Sequence, residues 1–120
     1  MPRFVVLEHD HPYLHWDLML EAGDILLTWR LASPPQAEKT VAATFLAGHR
    51  RIYLDYEGPV SRGRGTVTRW DSGTFDWEER KEDLVAVSLS GMRTCGQVTL
   101  KHINGEEWAF NLSKEPQAGH

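Results

Sequence analysis

Along most of this chain apolar residues fall at every second position or in short unbroken runs, and the three-and-four spacing of a helix is scarce. Arg3–His9 carries the run Phe4-Val5-Val6-Leu7, of strand length and bounded by charge. Residues 15–21 alternate, with His15, Asp17, Met19 and Glu21 on one face and Trp16, Leu18 and Leu20 on the other. Gly23-Asp24 turns the chain into a strand over Ile25–Leu31. Residues 52–56 read as another strand. Residues 66–70 and 74–77 flank Asp71-Ser72-Gly73, a hairpin signal. Residues 84–89 alternate again, and residues 98–103 meet 108–112 across Asn104-Gly105. The best place for a single helical turn is 78–83. The pattern predicts an all-β, mainly antiparallel protein, a small closed or partly open β-barrel of about eight strands. Pro34-Pro35 makes residues 32–39 a loop. A single domain is expected over residues 1–113, with a flexible tail over 114–120 that lacks large apolar residues.

Composition narrows the class. The chain has 120 residues, 41% hydrophobic and 25% charged, which suits one domain with its own core and excludes wholesale disorder. The longest apolar run has four residues, far short of the ~20 that cross a bilayer, so no membrane role is expected. No signal-peptide pattern opens the sequence. The single cysteine, Cys95, cannot pair within the chain and has no activating histidine beside it, which argues against a nucleophile and fits a cytoplasmic protein. The five tryptophans sit mostly in predicted strands, where packing explains them better than base stacking.

The net charge of −4 argues against indiscriminate coating of nucleic acid, which is driven by Lys and Arg. Residues 49–70 nevertheless hold Arg50, Arg51, Arg62, Arg64 and Arg69 against Asp55 and Glu57. A local basic patch on an acidic body suits a protein that grips a few phosphates in one place. Within it, Ser61-Arg62-Gly63-Arg64-Gly65 lacks the Gly-Lys-Ser/Thr ending of a P-loop and reads as a tight cationic hairpin loop able to track a backbone. Arginines spread over a solvated face give the same composition.

The histidines carry the chemistry. His9, His11, His15 and Asp17 lie within nine residues. On a strand His15 and Asp17 point to one face, roughly 6.5–7 Å apart along the chain, and the loop 10–13 returns His9 beside them. Two imidazoles and a carboxylate make a facial N,N,O set inside the rolled sheet, suited to Mn2+ or Zn2+ and compatible with iron. A polar solvent face produces the same alternation. His11, in the loop next to Pro12, is the weaker candidate, and His102 reads as surface. His49, Arg51, Tyr53 and Asp55 make a second group that shares a strand face if the register holds through Gly48. Histidine stabilises or protonates near neutrality, tyrosine orients an oxygen and arginine grips phosphate with a fork. A strand with a wet edge accounts for this group equally well.

These regions, in this order, resemble the 3'-phosphoesterase domain of bacterial DNA ligase D. The resemblance rests on Phe4 through Asp10, His15-Trp16-Asp17-Leu18-Met19-Leu20-Glu21, Gly23 through Trp29, His49 with Tyr53, Asp55-Tyr56-Glu57-Gly58, and Gly65 through Thr74; it spans residues 3–112. It implies a small barrel with a polar crescent, acting as a monomer on DNA 3' ends in end joining alongside separate ligase and polymerase enzymes. The expected reaction removes a 3'-phosphate or a 3'-terminal ribonucleotide, with manganese as the favoured ion. His9, His15 and Asp17 are the implied metal ligands; His49, His15 and Tyr53 are the implied catalytic group, with His49 on the scissile phosphate. The family's arginine two positions after the aspartate is Met19 here, its usual acid two positions before the second histidine is Ala47, and the loop between Gly58 and Gly65 is short. Arg51, Arg62 or Arg64 are the candidates to replace the missing phosphate contact. The alternatives are a barrel of the same kind that binds a DNA end or a repair partner without cleaving it, and a hydrolase for small phosphorylated metabolites.

Overall fold

Phe4-Val5-Val6-Leu7 is apolar without a break because its strand is buried on both faces. In the computed structural model, which describes residues 1–114, Phe4 and Val6 point into a large core while Val5 and Leu7 point the opposite way into a smaller one. The strand β1 (Arg3–His9) is antiparallel to β2 (His15–Ala22), which pairs with β3 (Ile25–Leu31), and β3 pairs with β4 (Thr40–Arg50). Beyond a 3-10 turn, Arg51–Leu54, come a short β5 (Gly58–Pro59) and then β6 (Thr66–Arg80), β7 (Leu84–Gly91), β8 (Cys95–Asn104) and β9 (Glu107–Ser113). The sheet runs β1-β2-β3-β4-β9-β8-β7-β6, and a β1–β6 ladder closes it into an eight-stranded antiparallel barrel, with β5 as an extra strand on β6. The expected all-β barrel is therefore what forms, and closure removes the exposed edges of an open sheet. Among the described residues no helix is long and apolar enough to cross a membrane. Residues 115–120 of the expected tail lie outside the described residues.

Three local expectations fail, each for a tertiary reason. Asp71-Ser72-Gly73 is not a hairpin; β6 runs straight through it, because the first part of this strand must pair with β1 and the second with β7. The buried Asp71 carboxylate serves a different turn: its oxygens accept the backbone N–H groups of Ser72, Met92, Arg93 and Thr94 at 2.8–3.1 Å. No helical turn forms at 78–83, where β6 continues to Arg80. Residues 52–56 are not a strand: the chain leaves the sheet at Arg51, so that Leu54 can plug the smaller core among Val5, Leu7, Met19, Leu26 and Val67. The strand that replaces it, β4, carries Ala42, Ala43, Ala47 and Gly48, residues of weak strand propensity; pairing on both sides, with β3 and β9, holds it extended.

The parity of the strands separates two environments. Leu18, Leu20, Trp29 and Leu31 face the barrel interior with Phe4, Val6, Phe75 and Phe110. Asp17, Met19, Leu26 and the residues in step with them face outward, beneath the 3-10 turn and the loop after β5. The polar crescent thus lies on the outer face of the β1–β4 half and not inside the rolled sheet. The roof is pinned by charge. Glu21, at the end of β2, accepts the Arg3 N–H at 2.9 Å and a very short bond from Arg51, while Arg3 reaches Asp55 at 2.6 Å. The Arg3 N–H, and then the Arg51 charge, hold the Glu21 carboxyl below its ordinary value of 4.5, against the opposing effect of partial burial.

A carboxyl whose folded value is depressed contributes stability above its unfolded value and loses it as pH falls through the folded one. Glu21→Gln is therefore expected to lower the urea midpoint at pH 7 and to flatten its decline as the pH falls below 4.5. Equal acid slopes in the two proteins would show that this pair does not anchor the roof.

Candidate metal centre

His15 is fully buried and Asp17 nearly so, the first outward-facing residues of β2. The register sets His9 directly opposite His15, and the ring centroids of the two lie 4.8 Å apart. One nitrogen from each histidine and one Asp17 oxygen all lie within 4.8 Å of one another. Backbone carbonyls decide which nitrogens these are. A carbonyl can only accept a hydrogen bond, so His15 Nδ1, 2.9 Å from the Tyr13 carbonyl, is the ring's donor. In the neutral ring Nε2 then turns a lone pair toward Asp17 Oδ2 at 3.2 Å. Likewise His9 donates Nε2–H to the Arg64 carbonyl at 2.8 Å, which leaves Nδ1 facing the same carboxylate oxygen at 3.6 Å.

With both rings neutral, three acceptors aimed at one point repel unless a proton or a metal cation lies between them. The second carboxylate oxygen, Asp17 Oδ1, is buried with no hydrogen-bond partner. Such an oxygen is costly to leave unmatched, and coordination to an ion is one way to match it. Two neutral imidazoles and a carboxylate, with each imidazole held from behind by a carbonyl, fit a divalent ion such as Mn2+ or Zn2+. The loop that supplies Tyr13 is clamped in turn: Asp10 Oδ1 accepts the Thr66 N–H at 2.7 Å, and any side chain on Gly65 would collide with Asp10 and His11.

The same groups open onto a cavity of about 280 Å³ lined by His9, His11, Asp17, Met19, Arg30, His49, Tyr53, Arg64 and apolar neighbours. His49 belongs to it although the register past Gly48 is not a simple strand. Its Nδ1–H is donated to the Ala47 carbonyl at 2.8 Å, so Nε2 remains available to the cavity. Position 47 thus orients the histidine through its backbone. Tyr53 comes from the 3-10 turn and stands edge-on to His49, with ring centroids 6.1 Å apart. Of the three expected phosphate-binding arginines, only Arg64 lines the cavity, its guanidinium held by the Ser61 carbonyl and hydroxyl at 2.9 and 3.2 Å. Arg51 turns to Glu21, and Arg62 sits exposed in a left-handed conformation on the loop. The sequence reading omitted Arg30, which the register places opposite Asp17 across β2 and β3. The signal was the alternation of β3, legible only once the β2–β3 register is known.

The class these features define is that of small closed all-β barrels with two histidines and one carboxylate gathered on the outer face. The chain belongs to the DNA ligase D 3'-phosphoesterase domain family, whose model matches residues 7–102. It is 32% identical over 120 residues to the multifunctional non-homologous end joining DNA repair protein LigD of Mycobacterium tuberculosis, covering 92% of this chain and 16% of that protein. It is 29% identical to LigD of Mycolicibacterium smegmatis and 27% identical to LigD of Pseudomonas aeruginosa, covering 94% and 97% of this chain and 17% and 16% of those proteins. The chain therefore spans about a sixth of the length of these relatives.

Met19, where the resemblance expects an arginine, is only 2% exposed and packs in the smaller core with Val5, Leu7, Leu26, Leu54 and Val67. Met19→Arg is expected to cost about 1–3 kcal/mol, because a charge enters an apolar cluster. Met19→Leu should stay within about 1.5 kcal/mol. Urea unfolding checks both; an unchanged midpoint for Met19→Arg would mean that the position is open to solvent through the cavity.

Proposed function

We propose that this chain is a divalent-cation-dependent phosphoesterase that acts on nucleic-acid 3' ends, removing a 3'-phosphate or a 3'-terminal ribonucleotide in DNA end joining. The observation that carries the reading is the convergence of His9 Nδ1, His15 Nε2 and Asp17 on one point, with both histidines oriented by carbonyls. Membership of the 3'-phosphoesterase family supports the substrate class, and the names of the relatives place them in end joining.

His9, His15 and Asp17 would hold the ion, Mn2+ in the first instance. When bound it neutralises phosphate oxygens and favours attack by water. The chain's own residues supply the rest. With Nδ1–H on the Ala47 carbonyl, His49 acts on the scissile phosphate as the doubly protonated ring, whose Nε2–H bond gains strength as negative charge develops. Tyr53 supports His49 from the 3-10 turn. Arg64, on the cavity rim, attracts the nucleic-acid backbone, with Arg62 adding diffuse positive charge from the neighbouring loop. Hydrolysis joins the water oxygen to phosphorus, breaks the bond to the 3'-oxygen, and leaves that oxygen protonated.

A second reading rests on Met19. With this position given over to packing, the barrel is a module that holds a DNA end without cleaving it. That reading predicts binding that weakens with salt and no cleavage stimulated by metal.

A 3'-phosphorylated primer–template incubated with Mn2+ should release phosphate. His9→Ala and His15→Ala should reduce the release to background, and His49→Ala should lower kcat about 100- to 1,000-fold. No release with any divalent ion at micromolar protein, together with salt-sensitive end binding, would establish the second reading instead.

A further inference from the structure

Arg30 is the cavity's uncommitted cation. Its cross-strand partner is Asp17, so its side chain leaves the sheet on the same outward face. Yet the two form no ion pair among the described residues, since the nearer carboxylate oxygen of Asp17 faces the histidines. Three other arginines near this face are engaged, Arg3 by Asp55, Arg51 by Glu21 and Arg64 by Ser61, and Arg62 stays on the exposed loop outside the cavity lining. The Arg30 Nε is sealed from solvent and has no acceptor, while the guanidinium lies 5.6 Å above the Tyr13 ring. A guanidinium is always charged and carries five N–H donors in a fixed plane. Here the guanidinium carbon lies 5.6 Å from the centroid of the Tyr13 ring at the wall of a cavity, and one of its donors is buried and unmet.

We propose that Arg30 is the anion clamp of this pocket, the residue that grips the terminal phosphate of the substrate. The inference rests on the phosphoesterase reading for the identity of that substrate, though not for the anion site itself. A phosphate monoester supplies paired oxygens that match the fork, and the Tyr13 ring lies within cation–π range of it. The clamp stands on β3, across the ladder from Asp17, so the cation that meets the anion comes from the strand next to the one that carries His15 and Asp17. Met19 is thereby free to serve as packing, and Tyr13 has two tasks: its carbonyl orients His15 and its ring seats Arg30.

Inorganic phosphate, titrated with chelator present so that no metal contributes, tests the clamp apart from turnover. Wild-type protein should bind phosphate, Arg30→Met should bind it at least tenfold more weakly, and Arg30→Lys should fall between, keeping the charge but losing the fork. Thermal midpoints without phosphate show that the variants are folded, and the lysine variant decides the matter if the methionine variant is not. With Mn2+ and the 3'-phosphorylated primer–template, KM should rise at least tenfold in Arg30→Met. Phosphate affinity unchanged in the folded variants, or absent from the wild type, overturns the clamp. Hydrolysis by wild type with an unaffected Arg30→Met would sink the clamp alone. Phosphate binding that depends on Arg30, with no hydrolysis by any protein, would sink the phosphoesterase reading and leave the clamp standing.

Discussion

A carbonyl oxygen has lone pairs and no proton, and this constraint, applied at three places, sets the chemistry of the pocket. The carbonyls of Tyr13, Arg64 and Ala47 each take the N–H of one histidine and so decide which nitrogen of His15, His9 and His49 is left over. Two of those nitrogens meet the Asp17 carboxylate, and when both rings are neutral no donor lies between these acceptors. With both rings neutral the arrangement favours a cation at that point, and the orientation of the rings is set by backbone, which a side-chain substitution cannot easily move. The local chain path matters as much as the ligands: the 10–14 loop, clamped at Thr66, delivers one carbonyl, and the hairpin loop before β6 delivers another.

The same outward face is shared between polar and apolar work. Met19 and Leu26 lie under Leu54, Tyr53 and Val60, and this second core carries the 3-10 turn that brings Tyr53 beside His49. The Glu21–Arg51 and Arg3–Asp55 pairs tie that turn to the strands at its edge. The cavity is therefore walled on one side by the main barrel sheet and on the other by a short segment whose position depends on a few apolar contacts and two ion pairs. A roof of this kind loosens more easily than the barrel beneath it.

What could be read from the sequence was what is local. The run Phe4 to Leu7 and the alternation from His15 to Glu21 are properties of single strands, so the first two strands, the shared face of His15, Asp17 and Met19 and the return of His9 were legible, whereas the direction of that face, out of the barrel, was not. The failures share a cause in distant partners. Asp71 looks like a turn residue because it is one, but the turn it serves lies at residues 92–94. Residues 52–56 have strand-like composition, yet Leu54 is needed in a core formed by β1, β2, β3 and β6. Thr40–Arg50 has weak propensity and is extended by its two neighbours. Arg30 was invisible because its meaning depends on register: nothing near it in the chain indicates that Asp17 stands opposite.

The chemistry of the pocket turns on whether those three acceptors form a seat for one ion. Calorimetric titration of the purified chain with Mn2+, and separately with Zn2+, measures this without reference to any substrate. One ion per chain is expected, with binding lost in Asp17→Asn and in His9→Ala while both variants remain folded. A wild-type chain that takes up neither ion, or variants that bind as the wild type does, would leave the arrangement as a buried hydrogen-bonded cluster with no role in metal chemistry.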